Sequence, residues 1–293
     1  MGVEEWIQRS IVRPTPEARR GTLALPPHFQ GWPHIAHGGG VLACLYEIAR
    51  PFLPGGTPVQ ATVRLHRSVG LDRPLNWSLT RDQGGIGVTI EDEDRLLAEG
   101  RVERSTESIP PAILPLPDGQ APAVPGNAGC LACGSENPIG LQIRFHWDEQ
   151  AVWKVYRPRP PYRCADGSLA PALHTIVLDE IGWWLGVLSA GECGLTTEIA
   201  VEILHPIPFD VPILIHGSRA AVTPEDGRGR IWRAEATVSA DACTVARGRV
   251  RFAGTRGFTK RLIPDFLAAS HPDEVRRLFS RYVDRADLPG GKE

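Results

Sequence analysis

The sequence predicts an α+β fold built from two tandem copies of one unit, each a curved antiparallel sheet wrapped on a single central helix, the pair forming a pseudo-dimer. Three observations predict it. Each half contains an apolar helical run, Gly40-Val-Leu-Ala-Cys-Leu-Tyr-Glu47 and Leu173-His-Thr-Ile-Val-Leu-Asp-Glu180. Each run is followed by strand-like segments that match between the halves in the same order, and a proline-rich stretch separates the two sets. Ordered repetition of this kind marks an internal duplication.

The repeats are specific. Ala61-Thr-Val-Arg-Leu-His66 corresponds to Ile199-Ala-Val-Glu-Ile-Leu204, each followed shortly by Asp-x-Pro (Asp72 and Pro74, Asp210 and Pro212), and Ala98-Glu-Gly-Arg-Val102 corresponds to Ala246-Arg-Gly-Arg-Val250. Strands are expected over residues 59–67, 75–81 and 86–102 in the first copy, and over 196–205, 212–222, 232–239 and 244–252 in the second. Alternation such as Val201, Ile203 and Val211, Ile213, Ile215 buries one face of each strand, and the preceding helix is the apolar partner available to it. The stretch from 109 to 126 reads IPPAILPLPDGQAPAVPG, whose prolines suit neither a strand nor a helix interior, so it is expected to be a linker. The units are then 1–108 and 127–256, with a tail over 257–293. That tail carries an amphipathic helix starting at Pro272 and packing through Val275, Leu278, Phe279 and Tyr282.

With 293 residues, 42% of them hydrophobic, the chain has material for a large core. Its 32 Lys and Arg balance 34 Asp and Glu, so no basic surface is expected for nucleic acid. Residues 1–20 alternate charged and apolar side chains, and no later run is long enough to span a membrane, so a cytoplasmic protein with no membrane partner is expected. Six scattered cysteines are too sparse for a disulfide framework, and reduced thiols are expected. Cys130 and Cys133 form a Cys-x-x-Cys, but no second pair at zinc-ribbon spacing accompanies it, so no metal is expected.

Several segments resemble the hotdog-fold thioesterases of the phenylacetate-degradation type. Phe29-Gln-Gly-Trp-Pro-His-Ile-Ala-His-Gly-Gly39 resembles that family's loop into the helix, with His-Gly-Gly at the helix N-terminus. Cys130-Leu-Ala-Cys-Gly-Ser-Glu-Asn-Pro-Ile-Gly-Leu-Gln-Ile-Arg-Phe145 resembles an opening segment common among relatives, and Leu178-Asp-Glu-Ile-Gly-Trp183 resembles the helix centre. The resemblance covers roughly residues 20–255. It implies an acyl-CoA substrate, with coenzyme A present only as part of that substrate, and no metal or redox cofactor.

Thioester hydrolysis needs donors for a developing oxyanion and a carboxylate that attacks the carbonyl or activates water. Gly38 and Gly39 offer amides at a helix N-terminus and are the expected donors, although a tight turn alone would also call for glycine. His37 is expected to position the substrate or orient the loop. The resemblance places the acid nine positions after the motif histidine. In the first half that position is Tyr46, and Glu47, one place further, is a reserve candidate turned about 100° around the helix. In the second half, aligning Tyr162 with Phe29 puts Asp179 at the acid position but Ala170-Pro171-Ala172 where His-Gly-Gly should be. The family's dimers assemble each site from the helix N-terminus of one unit and the helix acid of the other. One surviving composite site is therefore expected, with Gly38 and Gly39 facing Asp179, and its mirror is expected to be dead because Pro171 has no amide hydrogen. Asp179 paired structurally is the bland alternative.

Gln30 and Gly31, ahead of the histidine, and Thr196 and Thr197, opening the strand after the second helix, are candidate substrate contacts. Loop polarity and strand propensity would explain them equally well. Trp183 and Trp184 receive no role. A non-catalytic acyl-CoA-binding protein is the second reading. A hotdog hydratase or dehydratase is the third, and its Asp-x-x-x-x-His loop is not found. A fused pair still exposes surfaces through which two chains could form a homodimer.

Overall fold

Residues 1–53, 56, 58–105 and 121–283 are described by the structure, a computed structural model. The first half contributes α1 (Val3–Ser10), β1 (Ile11–Val12), β2 (Arg20–Leu23), β3 (Gln30–Trp32), β4 (Ile35–Ala36), α2 (Gly38–Ala49), β5 (Val59–Leu65), β6 (Leu75–Asp82), β7 (Gly85–Asp92) and β8 (Arg95–Arg104). The second contributes β9 (His146–Trp147), β10 (Ala151–Tyr156), α3 (Pro171–Ala190), β11 (Gly194–Ile203), β12 (Ile213–Ser218), β13 (Thr223–Pro224), β14 (Ile231–Ala240) and β15 (Cys243–Gly254), and the tail adds α4 (Phe258–Ala269) and α5 (Pro272–Phe279).

Apart from the β3–β4 hairpin, the strands form one 13-stranded antiparallel sheet, ordered β1-β2-β6-β7-β8-β5-β11-β15-β14-β12-β10-β9 with β13 on β14. The two units meet at its middle, where β5 pairs with β11 in a register that sets Val63 against Ile199 and Ala61 against Val201. Both central helices are apolar around most of their circumference, as helices enclosed on all sides must be. They lie side by side under the seam.

The repeated Ala-x-Gly-Arg-Val has a packing cause. Gly100 lies opposite Val63 and Gly248 opposite Val201, at equivalent points of the two copies. A Cβ at Gly100 would meet Leu45 Cδ2 of α2 at 2.6 Å, and one at Gly248 would meet Leu178 Cβ of α3 at 2.8 Å. Each glycine lets a helix leucine drop onto its sheet, and full burial of such a side chain contributes about 1.5–3 kcal/mol.

Several expectations need correction. The strand expected over 86–102 is a hairpin, because Glu93 takes a left-handed φ of 54° and turns β7 into β8. Residues 109–120 of the expected linker, with 106–108 and 284–293, lie outside the described residues. Residues 121–126 are not free linker: Val124 donates its amide to Phe145 O at 2.9 Å, and Gly126 donates to Ser270 Oγ at 2.8 Å. α1 and α4 were not expected. The interior proline of α4, Pro264, argues against a helix in sequence terms.

α1 occupies the place of the mirror site. Its Val3 and Ile7 are fully buried, and Gly2 lies so close to Pro161 that a Cβ would be 3.1 Å from that carbonyl oxygen. Glu4 bears electrostatically on Tyr46 of α2 and on Cys164. The helix thus sits between the loop that corresponds to Phe29 and the residue that corresponds to Asp179.

Candidate active site

The β3–β4 hairpin, turned by His34 at a φ of 65°, delivers His37 to the N-cap of α2. The His37 amide donates to Phe29 O at 2.8 Å and the Ala36 amide to Val69 O at 2.9 Å, which fixes the approach of the chain. Gly38 and Gly39 form the first helical positions. Gly39 is where α2 touches α3: a Cβ on it would lie 2.3 Å from Thr175 O and 2.6 Å from Ile176 Cα. This contact sets the first unit's helix N-terminus against the second unit's Asp179.

Asp179 is buried and held by three partners. Its Oδ2 accepts the Gly39 amide at 2.7 Å and lies 3.2 Å from His37 Nδ1, while its Oδ1 accepts the Thr196 hydroxyl at 2.8 Å. Thr196 and Thr197 both reach the cavity because a β-bulge interrupts β11 between Thr196 and Glu198. Burial pushes the Asp179 carboxyl up, against the opposing pull of His37, Thr196 and Gly39. His37 bridges two acids, its Nε2 lying 3.2 Å from Glu180 Oε2. Burial disfavours its charged form, but the Glu180 hydrogen bond and the Asp179 field outweigh that and raise the ring to about 9. The Gly39 amide lies 3.2 Å from His37 Nδ1 as well as 2.7 Å from Asp179 Oδ2, so the N-cap ring and the carboxylate converge on one donor.

These groups line a cavity of about 460 Å³. Its apolar wall is a cluster of rings: Trp32 and Trp183 with centroids 5.5 Å apart, Trp183 and Trp184 at 4.8 Å, and Phe266 of α4 at 5.9 Å from Trp32. Exposed His66, Arg67 and Ser68 lie at its mouth.

The sequence-based candidates divide. Gly31, His37, Gly38, Asp179, Thr196 and Thr197 line the cavity. Gly39 does not stand free as an oxyanion donor, because Asp179 already takes its amide. The Gly38 amide, one residue earlier, is taken by no acceptor among the described residues. Gln30 is turned away: its carbonyl accepts the Leu131 amide at 2.6 Å, and its side chain lies against Gly129. Glu47 is also outside, with Oε2 at 3.0 Å from Arg50 Nη2.

Glu180, Cys130 and Cys133 line the cavity although no site role was read for them. The signal available for Glu180 was a second acid beside Asp179 in an apolar helix. Cys130, His37 and Glu180 present donor atoms within 4.8 Å of one another. The Cys133 thiol hydrogen-bonds to Cys130 and, against the effect of burial, pulls the Cys130 thiol down, with the His37 field adding to it.

Burial pushes the Glu47 carboxyl from 4.5 up to about 7, although Arg50 opposes the shift. A native pKa above the unfolded one means that the folded chain binds more protons. The stability tied to Glu47 is therefore full below pH 4.5 and lost as pH rises through about 7. Glu47→Gln is expected to remove this loss, gaining about 1–3 kcal/mol in unfolding free energy at pH 8 and almost nothing at pH 4. Chemical denaturation at the two pH values checks it, and an equal difference at both would contradict it.

No family model matches the sequence, and no curated protein matches it. Solved structures do resemble it. An acyl-CoA thioesterase II of Mycobacterium marinum aligns with a TM-score of 0.58 at 14% identity, covering 88% of this chain and 100% of its own. A hot dog fold protein of Alicyclobacillus acidocaldarius aligns with a TM-score of 0.59 at 12% identity, over 86% of this chain and 97% of its own. A monomeric dehydratase domain from a trans AT polyketide synthase split module aligns with a TM-score of 0.56 at 12% identity, over 80% of this chain and 98% of its own. These likenesses establish the fold, two hotdog units in one chain. They leave the chemistry to be argued from side chains, since one architecture hosts more than one reaction.

Proposed function

We propose that this double-hotdog chain hydrolyses acyl-CoA thioesters at one composite site between its two units. The observation that carries the reading is the meeting of an uncommitted Gly38 amide, at the N-terminus of α2, with the buried Asp179 carboxylate of α3, at the wall of an apolar cavity. The thioester carbonyl oxygen takes the Gly38 N–H, where the helix dipole favours the negative charge that develops. Asp179 withdraws a proton from water, the hydroxide adds to the carbonyl carbon, the C–S bond breaks, and the thiolate of coenzyme A recovers a proton. Direct attack by Asp179, followed by hydrolysis of the anhydride, uses the same two groups. His37, Gly39 and Thr196 are positioning residues that hold the carboxylate. The acyl group lies among the tryptophans, and Arg67 at the mouth offers a cation to the coenzyme A phosphates. No step calls on a metal or redox cofactor, and the cytoplasm, which holds coenzyme A esters, suits such an enzyme.

The test is a hydrolysis screen over short, long and aromatic acyl-CoAs, read as released coenzyme A. Turnover of at least one class is expected, with a kcat in the range of about 1–10³ s⁻¹. Binding across the panel without turnover would replace this reading with a non-catalytic acyl-CoA-binding protein. Reversible hydration of an enoyl ester would point instead to the dehydratase branch of the fold.

A further inference from the structure

We propose that His37, Cys130 and Glu180 form a binding site for one thiophilic divalent cation of the zinc class, with water completing the tetrahedron. The three donor atoms lie within 4.8 Å of one another, all on buried residues. A tetrahedral zinc ion with bonds of about 2.0–2.3 Å holds its ligands about 3.3–3.8 Å apart, so it seats after side-chain shifts on the order of 1 Å. His37 Nε2 and Glu180 Oε2, at 3.2 Å, already have nearly that spacing.

The surroundings are arranged as a ligand set requires. The Ala132 and Cys133 amides approach Cys130 Sγ at 3.3 and 3.5 Å, so two N–H groups offset the charge of a thiolate. Gly134 closes this turn by donating to Cys130 O at 3.0 Å, and a Cβ there would lie 2.3 Å from that oxygen. The far side of each remaining ligand is held: His37 Nδ1 faces Asp179 Oδ2 at 3.2 Å, and Trp184 Nε1 donates to Glu180 Oε1 at 3.2 Å. A carboxylate behind a ligating histidine fixes the ring and raises its basicity. A thiolate selects a borderline or soft ion over magnesium or calcium, and one thiolate with one carboxylate neutralises a divalent charge. The ligands come from the N-cap of α2, the opening loop of the second unit and α3, so the ion would clip three distant segments together. The proposed role is structural, although His37 is shared with the proposed reaction site through its contact with Asp179.

The experiment uses the full chain, reduced and stripped with a chelator, then titrated with Zn²⁺ against a chromophoric competitor and, separately, with Co²⁺. One Zn²⁺ per chain is expected, together with a near-ultraviolet thiolate-to-cobalt charge-transfer band. Cys130→Ser is expected to weaken zinc binding at least about 100-fold and to abolish the band. Cys243→Ser, at an exposed cysteine on β15, is expected to change neither. Should Cys130→Ser lose its far-ultraviolet circular dichroism, Glu180→Gln takes its place, with at least about a tenfold loss expected. No zinc retained by the wild-type chain, or unchanged affinity and absorption in the ligand variant, overturns the site. The readout is binding, so the outcome is independent of whether any thioester is hydrolysed.

Discussion

Asp179→Asn is expected to lower kcat by about 10²–10⁴-fold, the range associated with loss of a general base, while leaving the fold intact. The hydrogen bonds around residue 179 explain why the two effects separate. An asparagine keeps one carbonyl oxygen, which still accepts the Gly39 amide now at 2.7 Å from Oδ2. Its NH₂ group turns toward Thr196, whose hydroxyl switches from donor to acceptor. A buried charge is removed at the same time, so thermal stability should be unchanged or slightly higher. Glu47→Gln, outside the cavity, is expected to keep most of the activity. Steady-state kinetics on the best substrate of the panel decides: turnover near wild type in Asp179→Asn would discard the catalytic assignment.

Gly39→Ala is expected to damage both stability and turnover. Alanine is the better helix former by about 1 kcal/mol, so propensity alone would favour the change. Sterics oppose it, because the new methyl would lie 2.3 Å from Thr175 O and 2.6 Å from Ile176 Cα, backbone atoms that move only if α3 moves. Overpacking of this kind costs about 1–3 kcal/mol and sometimes more, and a displacement on the order of 1 Å at a reacting group costs about 10²-fold in rate. A net loss of about 2 kcal/mol or more is therefore expected, together with that fall in kcat. Gly227→Ala is the control, since a Cβ there meets nothing within 4 Å. A Gly39→Ala protein as stable and active as the control would mean that the close helix contact has no functional weight.

The duplication was legible because matched sheets on matched helices demand matched residues: Gly100 and Gly248 recur so that Leu45 and Leu178 can pack. The Gly38–Asp179 meeting was legible for the same reason, since the repeat fixes which helix positions correspond. What escaped the sequence depends on tertiary placement. α1 is eight residues long, too short to announce itself, and is held by Val3 and Ile7 docking on the rest of the chain. Gln30 and Glu47 have the right chemistry in the right neighbourhood, but Gln30 is engaged by Leu131 and Glu47 by Arg50. Glu180 and Cys130 were passed over because their proximity to His37 arises only when the segment after residue 126 folds back across the start of α2.

The N-terminal helix has a bearing on stoichiometry. By lodging where the mirror of the proposed site would stand, it leaves one such site per polypeptide, so on that reading equilibrium saturation of a single chain is expected to be hyperbolic. Any sigmoidal response would have to originate between chains.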